Sequence, residues 1–393
     1  MTDAAPDLEQ RDPGTPKRRG KARKRHTVAK IVLATAVVLA MVTGLGTIWL
    51  YRHLNGNINV LDVDDQLTGR PEKIDVQGPQ EPINILVMGS DSRDCEGCNI
   101  DNLTGGGQRS DTTILVHVSA DRQRAYGISI PRDSMVDRPD CTTEDGETIA
   151  GADYVMWNEA FGLGGPACTM QQFEQLTGVR LDHFVVVNFE GFKGMVDAVG
   201  GVEMCIPEPI YDPAHGINIE AGTRELQGTE ALNYVRARYS IGNGSDTGRM
   251  KRQQAFIASM THTVVSAGTL TRPDRLVRFL DAATSSLTVD PGLKNLMKLA
   301  DLGLQFQNTG LDKIQFITIP NQPDPQDPNR LVWVEPRAQA VWDKIANDEP
   351  LTKKLSEDVI SAGDLPGSGS GSGSQGPRNE ADKQALADAG LCA

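Results

Sequence analysis

The longest hydrophobic stretch of the chain lies close to its N-terminus. Residues 31–50, IVLATAVVLAMVTGLGTIWL, contain no charged side chain. At about 1.5 Å per residue, a helix of this length spans a hydrocarbon core of about 30 Å. The run KRRGKARKRH precedes it, and Trp49 and Tyr51 suit the opposite interface. We therefore predict a transmembrane helix over 31–50, with the N-terminus cytoplasmic and the bulk of the chain extracytoplasmic. A cleaved signal peptide is the alternative, but no well-placed small-residue cleavage site follows.

Beyond this helix, short apolar runs alternate with segments of helical periodicity. Strands are predicted at residues 83–89, 113–118, 125–130, 183–187, 202–206 and 313–319. Helices are predicted at residues 153–161, 166–176, 189–199, 229–235, 247–267, 273–283 and 292–305. This alternation indicates an α/β sandwich around a central sheet. The predicted organisation is a disordered basic tail (1–30), the transmembrane helix (31–50), a polar stalk (51–81), a folded domain (82–350) and a C-terminal tail (351–393).

The end of the chain changes character after about residue 361, where GSGSGSGS indicates a flexible linker. Residues 380–391 have the composition of a short helix, but a flexible tail is the preferred interpretation of 351–393.

Six cysteines agree with an oxidising compartment. Cys95 and Cys98 form a C-x-x-C with no second such pair and no His at zinc spacing, which favours a local disulfide over a zinc site. Cys141 and Cys168 are expected to pair and to staple a loop insertion. Cys205 is left open, either paired or a buried free thiol.

The charge of the chain is unevenly distributed. Residues 1–30 carry nine Lys/Arg against four Asp/Glu, a balance of +5. Because the whole chain carries −13 and residues 31–50 carry none, residues 51–393 carry −18. A strongly acidic domain behind a short basic tail argues against nucleic acid as a partner.

Against this acidic background, arginines cluster between residues 234 and 254, YVRARYSIGNGSDTGRMKRQQ. Arg236 and Arg238 are two apart, so they share a face only if a helix ends there and the chain is extended. Arg249, Arg252 and Gln253 are separated by three and four residues, as on one helix face. Ser245 or Asp246 is the natural N-cap of that helix. Guanidinium groups match phosphate or carboxylate oxygens, so the cluster predicts an anion site, with a solvated basic face as the alternative.

Carboxylates accompany arginines at the ends of predicted strands. MGSDSRD places Asp91 and Arg93 after one strand, RSDTTILV places Arg109 and Asp111 before the next, and SIPRDS follows a third. The edge formed by strand ends is where ligands usually bind in α/β sheets. Asp91 and Asp111 at adjacent tips suit a hard cation such as Mg²⁺, although most Asp residues near turns are caps or solvated.

Several familiar site signatures are missing from the sequence. It contains no G-x-x-x-x-G-K-[ST], no G-x-G-x-x-G after a strand, no G-x-S-x-G and no H-E-x-x-H. The remaining chemistry is an arginine-plus-Mg²⁺ site, which suits diphosphate binding and phosphoryl transfer.

As a set, these motifs resemble the LytR–CpsA–Psr family of membrane-anchored enzymes. The resemblance rests on NILVMGSDSR, RSDTTILV, ISIPRDS, WNEAFGLGGP, HFVVVNFEGFKGMVDAVGGVEMCIPEPI, GTRELQGTEALNYVRARY and DTGRMKRQQ. It implies an α-β-α sandwich around a central mixed sheet. It also implies transfer of a phospho-glycopolymer from a polyprenyl diphosphate to a peptidoglycan hydroxyl, usually the 6-OH of N-acetylmuramic acid. The partners implied are the lipid-linked glycopolymer, peptidoglycan and the membrane.

The resemblance also assigns roles to individual residues. It implies a metal site for Mg²⁺, or Mn²⁺ in its place, made by Asp91 and Asp111. The catalytic and substrate-binding candidates are Arg109, Arg132, Asp133, Arg236 and Arg238, with Arg93, Arg249, Arg252 and Gln253. Asp91 or Asp133 is the candidate base for the acceptor hydroxyl. The loop over residues 94–108 is longer than a minimal family loop, which leaves the approach of Arg109 open.

Two other functions compete with transfer. The same site with water as acceptor would make a polyprenyl-diphosphate phosphatase, and a non-enzymatic anchored regulator or scaffold would need no Mg²⁺. The cysteines and the tail point to an actinobacterial source.

Overall fold

The structure is a computed structural model that describes residues 25–76, 78–90, 110–238, 240–266, 272–356, 359–367 and 380–392. The chain forms two compact units, residues 1–52 and 53–393. In the first unit the described residues belong to helix α1 (Arg25–Asn57). The stretch Thr27–Asn57 is long and apolar enough to cross a membrane, with a mean hydropathy of 2.3. The apolar helix predicted over 31–50 is therefore present and fits a membrane anchor.

The second unit contains the remaining elements of the described chain. The strands are β1 (Asn59–Val60), β2 (Ile83–Ser90), β3 (Ser110–Val118), β4 (Ala125–Ile130), β5 (Met135–Arg138), β6 (Cys141–Thr142), β7 (Thr148–Ile149), β8 (Ala152–Met156), β9 (His183–Asn188), β10 (Val202–Ile206), β11 (Ile210–Asp212), β12 (Ile217–Ile219), β13 (Gly222–Leu226), β14 (Leu287–Val289), β15 (Ile314–Thr318), β16 (Asn321–Pro323), β17 (Leu331–Trp333) and β18 (Ile360–Ser361). The helices are α2 (Glu159–Thr177), α3 (Phe189–Val199), α4 (Gly228–Arg236), α5 (Asp246–Ser266), α6 (Pro273–Ser286), α7 (Leu296–Thr309), α8 (Arg337–Ala346) and α9 (Glu380–Asp388).

Eight strands form one central sheet in the order β1-β14-β9-β2-β3-β4-β15-β18. Strand β3 is antiparallel to both β2 and β4, whereas β2 pairs with β9 and β4 with β15 in parallel. The sheet is therefore mixed, as expected. The β2, β4 and β9 strands point their carboxyl ends at one edge, and β3 begins there.

Helices cover both faces of this sheet. Successive strand residues point to opposite faces, so Phe316 and Ile317 of β15 enter different cores. The core around Phe316 is closed by α3, α4, α5 and α9, and the core around Ile317 by α2 and α8. This arrangement confirms the α-β-α sandwich.

One predicted helix is wrong in its first half. Residues 152–156 form β8, which pairs antiparallel with β5, and α2 begins only at Glu159. Tyr154 has a φ of 55°, a left-handed conformation that no regular helix contains. A partner strand from another part of the chain thus overrides the local helical pattern.

Disulfides fix two peripheral segments of the second unit. Cys141 pairs with Cys168 as predicted, which ties β6 to α2. Cys205 pairs with Cys392, so it is not a free thiol. The preferred expectation of a flexible tail is also wrong for residues 380–392, because α9 forms and Leu386, Ala389 and Leu391 are buried in the core. Cys95 and Cys98 lie outside the described residues.

Candidate active site

The candidate site lies at the sheet edge where β2 and β4 end and β3 begins. Gly89 pairs with Thr112 and Ser90 with Ser110, so one step along β2 matches two steps along β3. Asp111 is therefore the extra residue of a β-bulge, a device that redirects a side chain beside a site. Its carboxylate forms an ion pair with Arg132. Because of the bulge, the Asp111 side chain reaches the end of the neighbouring strand β4, although Asp111 itself lies within β3.

Arg132 and Asp133 occupy the turn that follows β4. The Ser134 N–H donates to the Pro131 carbonyl at 3.1 Å, and the Leu331 N–H donates to the Asp133 carbonyl at 3.1 Å. These backbone bonds fix the direction of both side chains. Although burial lowers the pKa of Arg132, its pairing with Asp111 and Asp133 outweighs this effect and raises the pKa. Arg132 is therefore a permanent cation at this edge.

The N-terminus of α5 supplies the opposite wall. The Ser245 hydroxyl accepts a hydrogen bond from the Gly248 N–H at 3.1 Å, so Ser245 is the N-cap. Asp246 is thereby left to pair with two arginines. It contacts Arg238, and its Oδ1 lies 3.1 Å from Arg249 Nη2. The helix start thus presents a carboxylate held between two guanidinium groups.

These walls enclose a narrow polar pocket. Its lining includes Asp111, Arg132, Asp133, Asp246, Arg249 and Gln253, and the free space between them is about 10 Å³. Such a space holds about one water molecule. A larger anion therefore enters only when side chains that line the pocket move.

Arg249 is the under-compensated cation of this pocket. Its residue is only 5% exposed, and its Nε finds no hydrogen-bond acceptor among the described residues. Burial lowers the pKa of Arg249, and the neighbouring Arg132 lowers it further, against the opposing effect of Asp246. A buried donor without a partner costs about 1–3 kcal/mol, and an anion placed here would relieve that cost.

Asp133 and Asp246 form a carboxyl pair, with a hydrogen bond between their side chains. Burial raises the pKa of Asp133, and the Asp246 carboxylate raises it further. Burial also acts to raise the pKa of Asp246, but the hydrogen bond from Asp133 and the charges of Arg249 and Arg238 lower it overall. Asp133 is therefore the member that takes up a proton first as the pH falls, and Asp246 is the one that stays ionised to lower pH.

Gln253 and Arg236 lie on either side of the β3 start. The Gln253 amide oxygen accepts from the Thr112 hydroxyl at 3.3 Å, and its amide N–H donates to the Val235 carbonyl at 3.1 Å. Arg236 ends α4, with its guanidinium carbon 5.1 Å from the ring centre of Phe189. Because Phe189 directly follows β9, which pairs with the end of β2, Arg236 also lies at this sheet edge. It does not line the pocket of Arg249.

Arg252 is not where the sequence analysis predicted it. It is 1% exposed, and its guanidinium donates to the Ala237 carbonyl and, at 3.0 Å, to the Ala389 carbonyl. At about 100° per residue, Arg252 lies about 60° to one side of Arg249, whereas Gln253 lies about 40° to the other. That offset turns Arg252 into the core behind the pocket. The expectation that it contacts substrate is therefore corrected, because its two terminal nitrogens donate to backbone carbonyls inside the domain.

Two site residues were missed by the sequence analysis. Asp246 was considered only as a cap, although its spacing of three from Arg249 was an available signal. Arg330, whose Nη1 lies 3.2 Å from Asp133 Oδ1, had no local signal because it is distant in sequence. Asp91, Arg93 and Arg109 lie outside the described residues.

Comparisons with known proteins identify the family and the relatives of this chain. The profile of the LytR_cpsA_psr family matches residues 50–347. A probable cell wall biosynthesis protein LcpB from Corynebacterium glutamicum is 36% identical over 264 residues, covering 66% of this chain and 60% of its own. The chain thus spans less than two thirds of that relative. An origin among actinobacteria, the group of Corynebacterium, was the expectation from sequence.

Two further similarities extend the comparison. The Bacillus subtilis polyisoprenyl-teichoic acid–peptidoglycan teichoic acid transferase TagV is 28% identical over 345 residues, 85% of this chain and 79% of its own. The solved structure of TagT bound to LIIa-WTA superposes with a TM-score of 0.52 at 20% identity, covering 73% of this chain and 98% of TagT. That likeness shows a shared fold. Since the family profile also spans the sheet edge, Arg132 and the α5 wall, the chain belongs to the LytR_cpsA_psr family.

Proposed function

We propose that this protein is a membrane-anchored transferase that moves a phospho-glycopolymer from a polyprenyl-diphosphate carrier to a peptidoglycan hydroxyl. The proposal is supported by membership of the family and by the activity in the name of TagV. The apolar helix α1 would anchor it, with the N-terminus cytoplasmic and the folded domain outside.

The observation that carries the proposal is the cation cluster around the orphaned Nε of Arg249. A diphosphate offers acceptor oxygens on two adjacent phosphorus atoms, which Arg132, Arg238 and Arg249 can share. Guanidinium groups bind such oxygens in pairs and stay charged. As the bond to the leaving phosphate lengthens, charge builds on its oxygens, and fixed cations in a buried site stabilise that charge.

The transfer step itself needs one proton acceptor. The acceptor hydroxyl oxygen attacks the phosphorus that carries the glycopolymer, and the bond from that phosphorus to the oxygen of polyprenyl phosphate breaks. Asp133, whose pKa is raised, takes the hydroxyl proton in its ionised form. Asp246 stays ionised and orients Arg238 and Arg249.

A divalent cation fits the chemistry of the bulge. Asp111 carries a carboxylate that is 29% exposed at the side-chain level, beside the cations that would hold phosphate oxygens. In this proposal Asp111, with Asp91, holds Mg²⁺ or Mn²⁺, which prefer carboxylate, phosphate and water oxygens. When bound, the ion would neutralise negative charge on the diphosphate. Loss of Mg²⁺ binding to Asp111→Asn in calorimetry would test this assignment independently of activity.

The experiment uses the full chain in detergent with a polyprenyl-diphosphate-linked, labelled glycopolymer and peptidoglycan. We expect label in peptidoglycan together with released polyprenyl phosphate. Arg249→Ala is expected to lower kcat about 10²–10³-fold, the usual effect of losing one charge-stabilising donor. Arg278→Ala, which removes an exposed arginine paired to Asp274 on α6, is the matched control.

Two results would contradict the proposal. Release of glycopolymer phosphate into water, with no label in peptidoglycan, would identify a diphosphatase. Full transfer by Arg249→Ala would remove the arginine cluster from the mechanism.

A further inference from the structure

A groove of about 1040 Å³ lies beside the candidate site and is lined by residues 207–208, residues 240–244 and the C-terminal helix α9. Ligand pockets are commonly about 300–1,000 Å³, so this groove can hold an extended ligand. Its lining includes Arg238, which pairs with Asp246 of the candidate site. The groove and the arginine pocket therefore share a wall.

Two of the segments that line the groove, residues 240–244 and α9, are in direct contact. The Asn243 N–H donates to the Asp388 carbonyl at 2.8 Å, and a Cβ at Gly242 would come within 2.2 Å of that same oxygen. Gly242 has a φ of 56°, so glycine is required here for both conformation and space. Behind them, the buried guanidinium of Arg252 joins Ala237 to Ala389.

A disulfide also attaches the segment after α9 to the folded domain. The disulfide from Cys205 to Cys392 fastens the end of the chain to β10, and Cys392 lines the groove. Leu386 turns the apolar side of α9 into the core, at 4% exposure. The groove is thus part of the folded domain.

The side chains along the groove have a distinct chemistry. Glu208, Ser240, Asn243, Gln384 and Asp388 offer carboxylate, hydroxyl and amide groups. The Gln384 amide donates to Asp388 Oδ1 at 2.8 Å, which leaves its carbonyl oxygen as an acceptor at the surface. Carboxylates and amides match the hydroxyl and acetamido groups of a sugar. Two carboxylates against the single guanidinium of Arg238 disfavour a polyanion.

We propose that this groove binds the acceptor as an uncharged stretch of N-acetylhexosamine glycan, so that the C-terminal helix forms part of the active site. This inference rests on the proposed function and names its acceptor subsite. A glycan lying in the groove contacts Arg238, which pairs with Asp246 and so lies next to the carboxyl pair of Asp133 and Asp246. The polyanionic donor would remain on the arginine side of the same wall.

The test measures binding of an N-acetylglucosamine tetrasaccharide to the full chain in detergent, without donor. Gln384→Ala on α9 and Glu208→Ala between β10 and β11 alter different elements of the groove at exposed positions, so both variants should fold. Loss of one such hydrogen bond is expected to weaken binding about tenfold. Lys383→Ala is the matched control, because Lys383 neighbours Gln384 on α9 but pairs with Glu380 and does not line the groove.

The same variants are then assayed for transfer. We expect a raised KM for peptidoglycan and an unchanged KM for the lipid-linked donor. Equal tetrasaccharide binding by wild type and both variants, or no binding to any of them, would overturn the groove assignment. So would variant-sensitive binding of a glycerol-phosphate oligomer in place of the tetrasaccharide.

Failure of the two proposals would look different. Wild-type protein that binds the tetrasaccharide in the groove but transfers no glycopolymer would support the groove and refute the transferase. Transfer by both variants with an unchanged KM for peptidoglycan would support the transferase and refute the groove assignment.

Discussion

Replacing Arg252 by Met separates two views of the arginine cluster. If Arg252 contacted the diphosphate, as its spacing in the sequence suggested, the variant would bind donor poorly and remain stable. In the structure its two terminal nitrogens donate to the carbonyls of Ala237 and Ala389, far inside the domain. The variant is therefore expected to lose stability and to keep its affinity for the donor.

The size of the loss follows from these two hydrogen bonds. Met fills most of the volume of Arg252, so the main cost is two buried carbonyls left without a donor, about 1–3 kcal/mol each. Burial of the charge lowers the pKa of Arg252 to about 10, so the native guanidinium already carries a desolvation cost that the variant recovers. The two carbonyls together cost about 2–6 kcal/mol, so the expected decrease in the free energy of unfolding lies in the lower part of that sum, about 2–4 kcal/mol.

Urea unfolding of the full chain, followed by tryptophan fluorescence, measures this quantity. Arg249→Met is the matched control on the same helix, with the opposite expected pattern of weakened donor binding and little change in stability. An Arg252→Met protein that unfolds like wild type but has a raised KM for donor would refute the structural argument. It would restore the role that the sequence predicted.

Three further predictions concern Asp133, Cys392 and Gln253. Because the pKa of Asp133 lies above its ordinary value of 3.8, kcat should fall as the pH decreases through that raised pKa. Asp246→Asn removes a charge that raises this pKa, so it should move the acidic limb of the plot of kcat against pH to lower pH. An unmoved limb would exclude Asp133 as the base. Cys392→Ser should lower the free energy of unfolding by about 2–5 kcal/mol, and dithiothreitol should destabilise wild type more than the variant, because both proteins lose Cys141–Cys168 and only wild type also loses Cys205–Cys392. Gln253→Leu should weaken donor binding by releasing the Thr112 and Val235 contacts; unchanged donor affinity would assign Gln253 to structure alone.

The central layers of the fold were predictable because their signals are local. A buried strand such as β4 is a continuous apolar run, and α3 and α5 show helical periodicity. Strand β8 was not predictable in this way. Its stability comes from pairing with β5, and a single-sequence pattern carries no information about that partner.

The candidate site was predicted to the level of residue types, and its geometry was not. The bulge at Asp111 depends on the register of β2 against β3, and the contact of Arg330 with Asp133 depends on where β17 packs. Helical spacing grouped Arg252 with its neighbours, but an offset of about 60° is enough to move a side chain from a pocket into a core. The docking of the C-terminal segment rests on a disulfide across 187 residues, which no local pattern encodes.

The ion pairs of the candidate site bear on how a diphosphate would be bound and released. Arg132 and Arg238 are each paired to a carboxylate, so a ligand must exchange with Asp111 and Asp246, whereas the Nε of Arg249 gains a contact outright. A diphosphate offers oxygens on two phosphorus atoms for these two exchanges, whereas a single phosphate group offers oxygens on one. After the proposed transfer each product would keep one phosphate, and Asp111 and Asp246 would pair again with Arg132 and Arg238. The ion pairs of the free site thus favour binding of the diphosphate over binding of either product, so each product is bound more weakly and can leave.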